Sequence, residues 1–300
     1  MRTKKLKRYT AFDIINTTLI ILITLILAYP LYFCVIASVS DPTEVNLGHT
    51  LLWVKGFDLE GYKRILREDQ IWIGYRNTIF YTVAGTLYNL ILTIPTAYVL
   101  SKPKMHFHGV ISWYFFITMY IGGGMIPSYL LIKNLGMLNT PWVMFIGAGV
   151  SCYNMIVTRQ YFSTSIHPDI YEAAEIDGAG QGTCFIKIAM PLAKPILAVM
   201  ALYYGVGHWN SYMSALLYVY KKELYPLQLV LRNILINSQL NFSDLENVTV
   251  EELELALYKA QLAQTMKYGI VIVASLPLII IYPFMQKYFV KGVMIGSVKG

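Results

Sequence analysis

Charge is what this chain has least of. Of its 300 residues 14% are Asp, Glu, Lys or Arg, 56% are hydrophobic, and the mean hydropathy is +0.51. A soluble domain carries about 25% charged residues, so the deficit excludes an ordinary soluble globular class and indicates an integral membrane protein. Cysteine is also scarce. Cys34, Cys152 and Cys184 form no CxxC pair and stand near no histidine at ligand spacing, which makes them small apolar fillers and leaves no metal site to assign. The dipeptide Gly-Lys is absent, so no P-loop can hold a nucleotide. Neither HExxH nor GxSxG occurs, and no catalytic residue can be nominated. The net charge of +7 is not gathered into a basic stripe, which argues against a nucleic-acid partner.

What is present is a set of long charge-free runs. A bilayer core of about 30 Å needs about 20 apolar helical residues. Cutting the sequence at every charged residue leaves six runs long enough: 14–40, 77–101, 105–132, 134–158, 195–220 and 268–286. The expectation is therefore an all-α polytopic protein with six transmembrane helices in a lipid bilayer. The start, MRTKKLKR, is basic and is followed by no cleavable pattern, so a retained first span is expected. With residues 1–13 in the cytoplasm, segments 1–13, 102–104, 159–194 and 287–300 lie inside and hold thirteen Lys/Arg against five acids. The outside segments hold eleven against twelve. That asymmetry follows the positive-inside bias and puts both termini in the cytoplasm.

The external loops differ. Residues 41–76 carry interfacial aromatics, and 133–140 is a tight connection. Residues 221–267 form a long loop ending in VEELELALYKAQLAQ, a helical-looking stretch suited to docking. The spans contain no Asp, Glu, Lys or Arg, which weakens any proton- or sodium-coupled mechanism. A pathway through them would be lined by neutral polar and aromatic groups. Tyr204, Trp209, Asn210 and Tyr212 in the fifth run suit a neutral polyhydroxylated ligand, with rings for sugar C–H faces and amide or hydroxyl groups for hydrogen bonds. Interfacial anchoring and interhelical hydrogen bonding are the alternative, and Asn154 and Asn89 share the ambiguity. Gly123, in the run Gly122–Gly124, is either a packing kink or irregular backbone lining a pathway.

The longest inside segment contains YEAAEIDGAGQGTCFIKIAMPL, residues 171–192. Pro168 can open a helix because its missing N–H is unpaired there anyway. Asp169, Glu172 and Glu175 favour the positive end of the helix dipole. Small residues at Ala173, Ala174 and Ala179 allow another surface to approach, and glycines at 178, 180 and 182 permit tight turns before a second short helix over 183–190. The face is acidic, opposite to what anionic lipid attracts, so a protein partner is expected.

These residues carry a resemblance. Glu172-Ala173-Ala174, Asp177-Gly178-Ala179, Ile188 and Pro191-Leu192 resemble the EAA signature of binding-protein-dependent ABC importer permeases. The glycine lies six residues after Glu172 and the proline thirteen after the glycine. Trp209-Asn210 and the tail KYFVKGVMIGSVKG are similar to the carbohydrate importers of the maltose-transporter type.

The resemblance implies a non-catalytic permease of the bacterial cytoplasmic membrane. Its partners would be a homologous second permease, two ATP-binding cassette subunits and an extracellular or periplasmic solute-binding protein. It implies no cofactor on this chain, because ATP and Mg would be handled by the cassette subunits. Glu172, Ala173, Ala174, Asp177, Gly178, Ala179 and Pro191 would couple to the ATPases. An oligosaccharide or glycoside would be carried. A non-sugar solute in the same architecture, and a membrane-embedded enzyme or sensor partner, are the alternatives.

Overall fold

The computed structural model describes residues 10–103, 105–237, 266–284 and 286. The expected docking stretch at 250–264, the tail at 287–300 and most of the basic start lie outside them. The described residues are mostly helical and contain no strand, only an isolated bridge between Ser40 and Phe57. The chain divides into two compact units, residues 1–68 with 234–275 and residues 69–233 with 276–300.

In the first unit, α1 (Ala11–Ser38) opens with a capping box. The Asp13 amide donates to Thr10 Oγ1 at 3.3 Å, and the Thr10 amide donates to Asp13 Oδ2 at 3.0 Å. Apolar side chains surround α1 and remain exposed along most of its length, as expected of a helix whose solvent is lipid or another protein. Its far end is tied to the loop that follows: the Tyr32 hydroxyl donates to the Leu52 carbonyl at 2.5 Å. α2 (Glu60–Arg67) joins it through Tyr62, whose hydroxyl donates to Ser38 Oγ at 2.8 Å.

The second unit is built on α3 (Asp69–Leu100), and α4 (His108–Tyr120), α5 (Met125–Asn134), α6 (Cys152–Ser165), α7 (Pro168–Ile176) and α8 (Gln181–Leu192) follow. After them come α9 (Lys194–Trp209), α10 (Tyr212–Tyr218) and α11 (Leu227–Asn237), whose last residues belong to the first unit. The chain's last described long helix is α12 (Met266–Phe284). Helices α6 and α9 both pack along α3.

Three of the expected spans are not continuous helices. By length and composition three helices can cross a membrane among the described residues, α1, α3 and α12, or up to five if each bent pair is one span. Run 105–132 is α4 and α5 meeting at 114° across Gly122–Gly124, where Gly124 takes φ +83°. Run 134–158 is two 3-10 turns, Pro141–Met144 and Ile146–Ala148, leading into α6. Run 195–220 breaks at Asn210–Ser211 between α9 and α10. A charge-free run reports that a segment is apolar; it does not report helical continuity, which Pro141 and the glycines interrupt.

Broken backbone in an apolar setting needs internal hydrogen-bond partners, and α3 supplies them. Asn89 Nδ2 donates to the Gly149 carbonyl at 2.8 Å, while Asn89 Oδ1 lies 2.6 Å from His208 Nε2. The Ser151 amide donates to the Tyr204 hydroxyl at 3.3 Å, and that hydroxyl lies 2.7 Å from Thr93 Oγ1. At the opposite end of α3, Asn77 Nδ2 donates to the carbonyls of Glu223 and Tyr225, and Thr78 Oγ1 accepts from the Leu227 amide at 2.7 Å.

Gly85 makes the α3–α9 approach possible: a Cβ there would stand 2.5 Å from the His208 ring. Gly85→Val is expected to force α9 away and to cost about 1–3 kcal/mol. Thermal unfolding of the purified protein in detergent checks this, with Gly74→Ala as a second tight-contact variant beside Leu227.

Candidate coupling site

The polar segment forms two short helices that leave the membrane-type bundle and return to it. α7 starts at Pro168 and ends in a Schellman turn. The Gly178 amide donates to the Glu175 carbonyl at 3.1 Å and the Ala179 amide to the Ala174 carbonyl at 2.9 Å. Gly178 takes φ +81° and a Cβ there would meet nothing within 4 Å. The glycine is required by backbone conformation and not by space. Gln181 Nε2 donates to Glu175 Oε1 at 2.9 Å, tying the turn back to the helix.

The seven residues of the signature divide by exposure. Glu172, Ala173, Asp177, Gly178 and Pro191 are exposed, whereas Ala174 and Ala179 are partly buried against the core. Ile176 is 87% exposed, a large apolar side chain beside acidic neighbours that nothing in the local sequence sets apart. The exposed face thus combines carboxylates, small residues and one isoleucine, a surface suited to a protein groove.

One side chain of α7 is buried, Tyr171. It packs 6.1 Å from the ring of Tyr98, near the end of α3. Tyr98 also meets Phe162 of α6 edge-on at 5.6 Å and Phe185 of α8 at 4.9 Å. Four elements therefore meet on one tyrosine. Burial, then the neighbouring Tyr98 and Cys184, push the Tyr171 phenol up to about 12, so it is neutral at physiological pH. Nothing in the local sequence pairs Tyr98 with Tyr171 across the three helices between them.

α8 contains a π-helical stretch, Cys184–Ala189, and meets α9 at 78°. The Tyr161 hydroxyl donates to the Leu192 carbonyl at that bend, 3.1 Å away. The expected second helix over 183–190 is thus longer and looser than the sequence indicated.

The candidate pathway residues differ in burial and in their partners. Tyr204 is buried and bonded as described; Trp209 is buried, 6.4 Å from the ring of Tyr75. Asn210 is exposed at the end of α9, donating to the Val206 carbonyl at 3.1 Å. Tyr212 and Gly123 are exposed, and Asn154 is buried in the first turn of α6. A cavity of about 280 Å³ lies elsewhere, lined by Leu100, Ser112, Trp113, Phe116, Met155, Ile156 and Arg159, and includes none of the six.

Residues 71–295 match the model of the family described as binding-protein-dependent transport system inner membrane component. The chain belongs to this family. Protein LplC of Bacillus subtilis (strain 168) is 33% identical over 292 residues, covering 96% of this chain and 95% of that protein. The polygalacturonan/rhamnogalacturonan transport system permease protein YtcP of the same strain is 32% identical over 289 residues, covering 96% and 98%. A crystal structure of a bacterial ABC transporter involved in the import of the acidic polysaccharide alginate contains a chain of similar fold. Its TM-score is 0.82 at 33% identity, covering 95% of this chain and 100% of that one. Membership makes the protein a membrane component of a transport system that works with a solute-binding protein.

Replacing Gly178 by Val forces a β-branched residue into the left-handed region, at about 1–2 kcal/mol or more. Gly178→Asn, which tolerates that region, is expected to stay near the parent. The check is ATP hydrolysis by the assembled transporter: reduced several-fold in the first variant and close to normal in the second.

Proposed function

We propose that this chain is one of two permease subunits of an ATP-driven importer in the bacterial cytoplasmic membrane, carrying an oligosaccharide or glycoside. The reading draws on family membership and on relatives whose names specify polysaccharide-derived cargo. The observation that carries the mechanism is α7: an exposed, acidic, small-residue helix fastened by a single buried tyrosine. In this reading six spans cross the membrane with both termini inside, the interrupted runs 105–132, 134–158 and 195–220 each making one crossing. The exposed face of 172–178 seats in a separate ATP-hydrolysing subunit, one for each permease. ATP and Mg are bound there and not on this chain.

ATP-driven closure of the cassette subunits moves α7, and the spans switch between inward- and outward-facing states. This is a two-state equilibrium biased by nucleotide. The solute-binding protein delivers sugar from outside. Tyr204, Trp209, Asn210, Tyr212, Gly123 and Asn154 remain the proposed pathway residues, with Asn210 and Tyr212 presenting exposed polar groups and Tyr204 and Asn154 placing the walls.

Purification from the native host is expected to bring down a homologous permease and an ATPase. Their absence would remove the importer reading. Glu172→Lys reverses the charge of the docking face and is expected to lower sugar uptake at least tenfold while the binding protein's affinity for sugar is unchanged. Full uptake with full stimulated ATP hydrolysis in that variant would show that α7 is not the coupling helix. For the pathway, Trp209→Ala and Asn210→Ala are expected to slow uptake without loss of assembly; unchanged kinetics in both would leave these residues as packing groups only.

A further inference from the structure

The short link after α3 holds a basic residue in an unusual place. Lys102 is half-buried and makes no ion pair with a carboxylate among the described residues. Its ammonium instead sits 2.9 Å from the centroid of the Tyr171 ring and 5.0 Å from that of Tyr98. The backbone fixes it there: the Ser101 amide donates to the Tyr98 carbonyl, the Lys102 amide to the Val99 carbonyl and the Met105 amide to the Lys102 carbonyl. Burial lowers the Lys102 pKa. Cys184 and Glu175 act on it only through space, and an amine in a partly dry site with no carboxylate at ion-pair distance is costly unless something more offsets the lost hydration. The ring faces do so, because a cation over an aromatic quadrupole is attracted, and more strongly when desolvated.

The location gives that contact a consequence. Tyr171 is the buried anchor of α7 and the neighbour of Glu172, while Tyr98 belongs to α3. Both phenol hydroxyls are buried with no hydrogen-bond partner among the described residues, so there the rings and not the hydroxyls make the attachment. We infer that Lys102 is a positioning residue that clamps the Tyr171 ring against Tyr98 and so transmits displacement of the coupling helix α7 to α3. From α3 the displacement passes to α9 through the Thr93–Tyr204 and Asn89–His208 contacts. The inference rests on the reading of α7 as the coupling helix.

The test uses the permease pair in nanodiscs, with the ATPase subunits titrated onto it and a nitroxide placed at Asp169→Cys, exposed in the first turn of α7 and outside the docking face, to report motion of α7. Lys102→Met is expected to weaken ATPase binding about tenfold, between the few-fold value of an exposed cation–π pair and the roughly thirtyfold value of a desolvated one. It is also expected to raise nitroxide mobility. Lys102→Arg keeps the cation on the rings and restores both readouts; Tyr171→Phe keeps the ring and matches the parent. Tyr171→Leu reproduces the Lys102→Met defect, and the double variant is no worse than either single one, the non-additivity of two groups in one contact. If Lys102→Met does not assemble, Lys102→Gln takes its place.

Binding within twofold of the parent in Lys102→Met overturns the inference, as does an additive double variant or an arginine variant no better than the methionine one. Glu172→Lys separates the levels. If it abolishes ATPase binding while Lys102→Met does nothing, the clamp is wrong and the coupling helix stands. If neither variant changes binding, both fail.

Discussion

Backbone hydrogen bonding without water is the constraint on which the second unit depends. In hydrocarbon an unsatisfied amide or carbonyl costs several kcal/mol, yet the segment between α5 and α6 is a pair of 3-10 turns with free backbone groups at Gly149 and Ser151. Side chains of α3 and α9 reach those groups: Asn89 takes the Gly149 carbonyl and the Tyr204 hydroxyl accepts the Ser151 amide. His208 and Thr93 complete the two networks. The polar residues in otherwise apolar helices thus serve irregular backbone, and much of that bonding gathers on the 32-residue α3.

The same helix ends where function begins. Its last turns carry Tyr98, on which α6, α7 and α8 converge through aromatic rings. An edge-on or tilted ring contact adds about 0.5–1.5 kcal/mol beyond area burial, so three such contacts make a stiff joint. For the proposed coupling role stiffness matters, because a helix that passes on a displacement must not rock on its mount. The exposed side of α7 could therefore be given over to acids and small residues while one buried tyrosine holds the helix.

Much of this was legible in the sequence, for identifiable reasons. Charge-free runs expose apolar segments because charges are expensive in lipid. The order Pro168, Glu172, Gly178 shows where α7 starts and stops, since proline suits a first turn and glycine the left-handed residue after a last one. Two things were not legible. Runs 105–132, 134–158 and 195–220 looked like single spans; the Gly122–Gly124 run marked a kink or irregular backbone, but composition is blind to its 114° angle, to the turns at Pro141 and to the break at Asn210–Ser211. Tyr98, Phe162 and Phe185 drew no attention because each is an unremarkable aromatic until its neighbours are known.

Sequence alone determined that the chain is apolar, largely helical, without a P-loop signature, and equipped with an acidic, small-residue segment bounded by Pro168 and Gly178. Each of these follows from local chemistry: hydration of charge, backbone propensity, and the absence of a phosphate-binding loop. Only the tertiary structure decided which side chains close the broken segments and how α7 is mounted. Those depend on contacts between residues far apart in the chain, such as Asn89 with Gly149 and Tyr98 with Tyr171. Such pairings are set by how helices pack, and no local pattern encodes them.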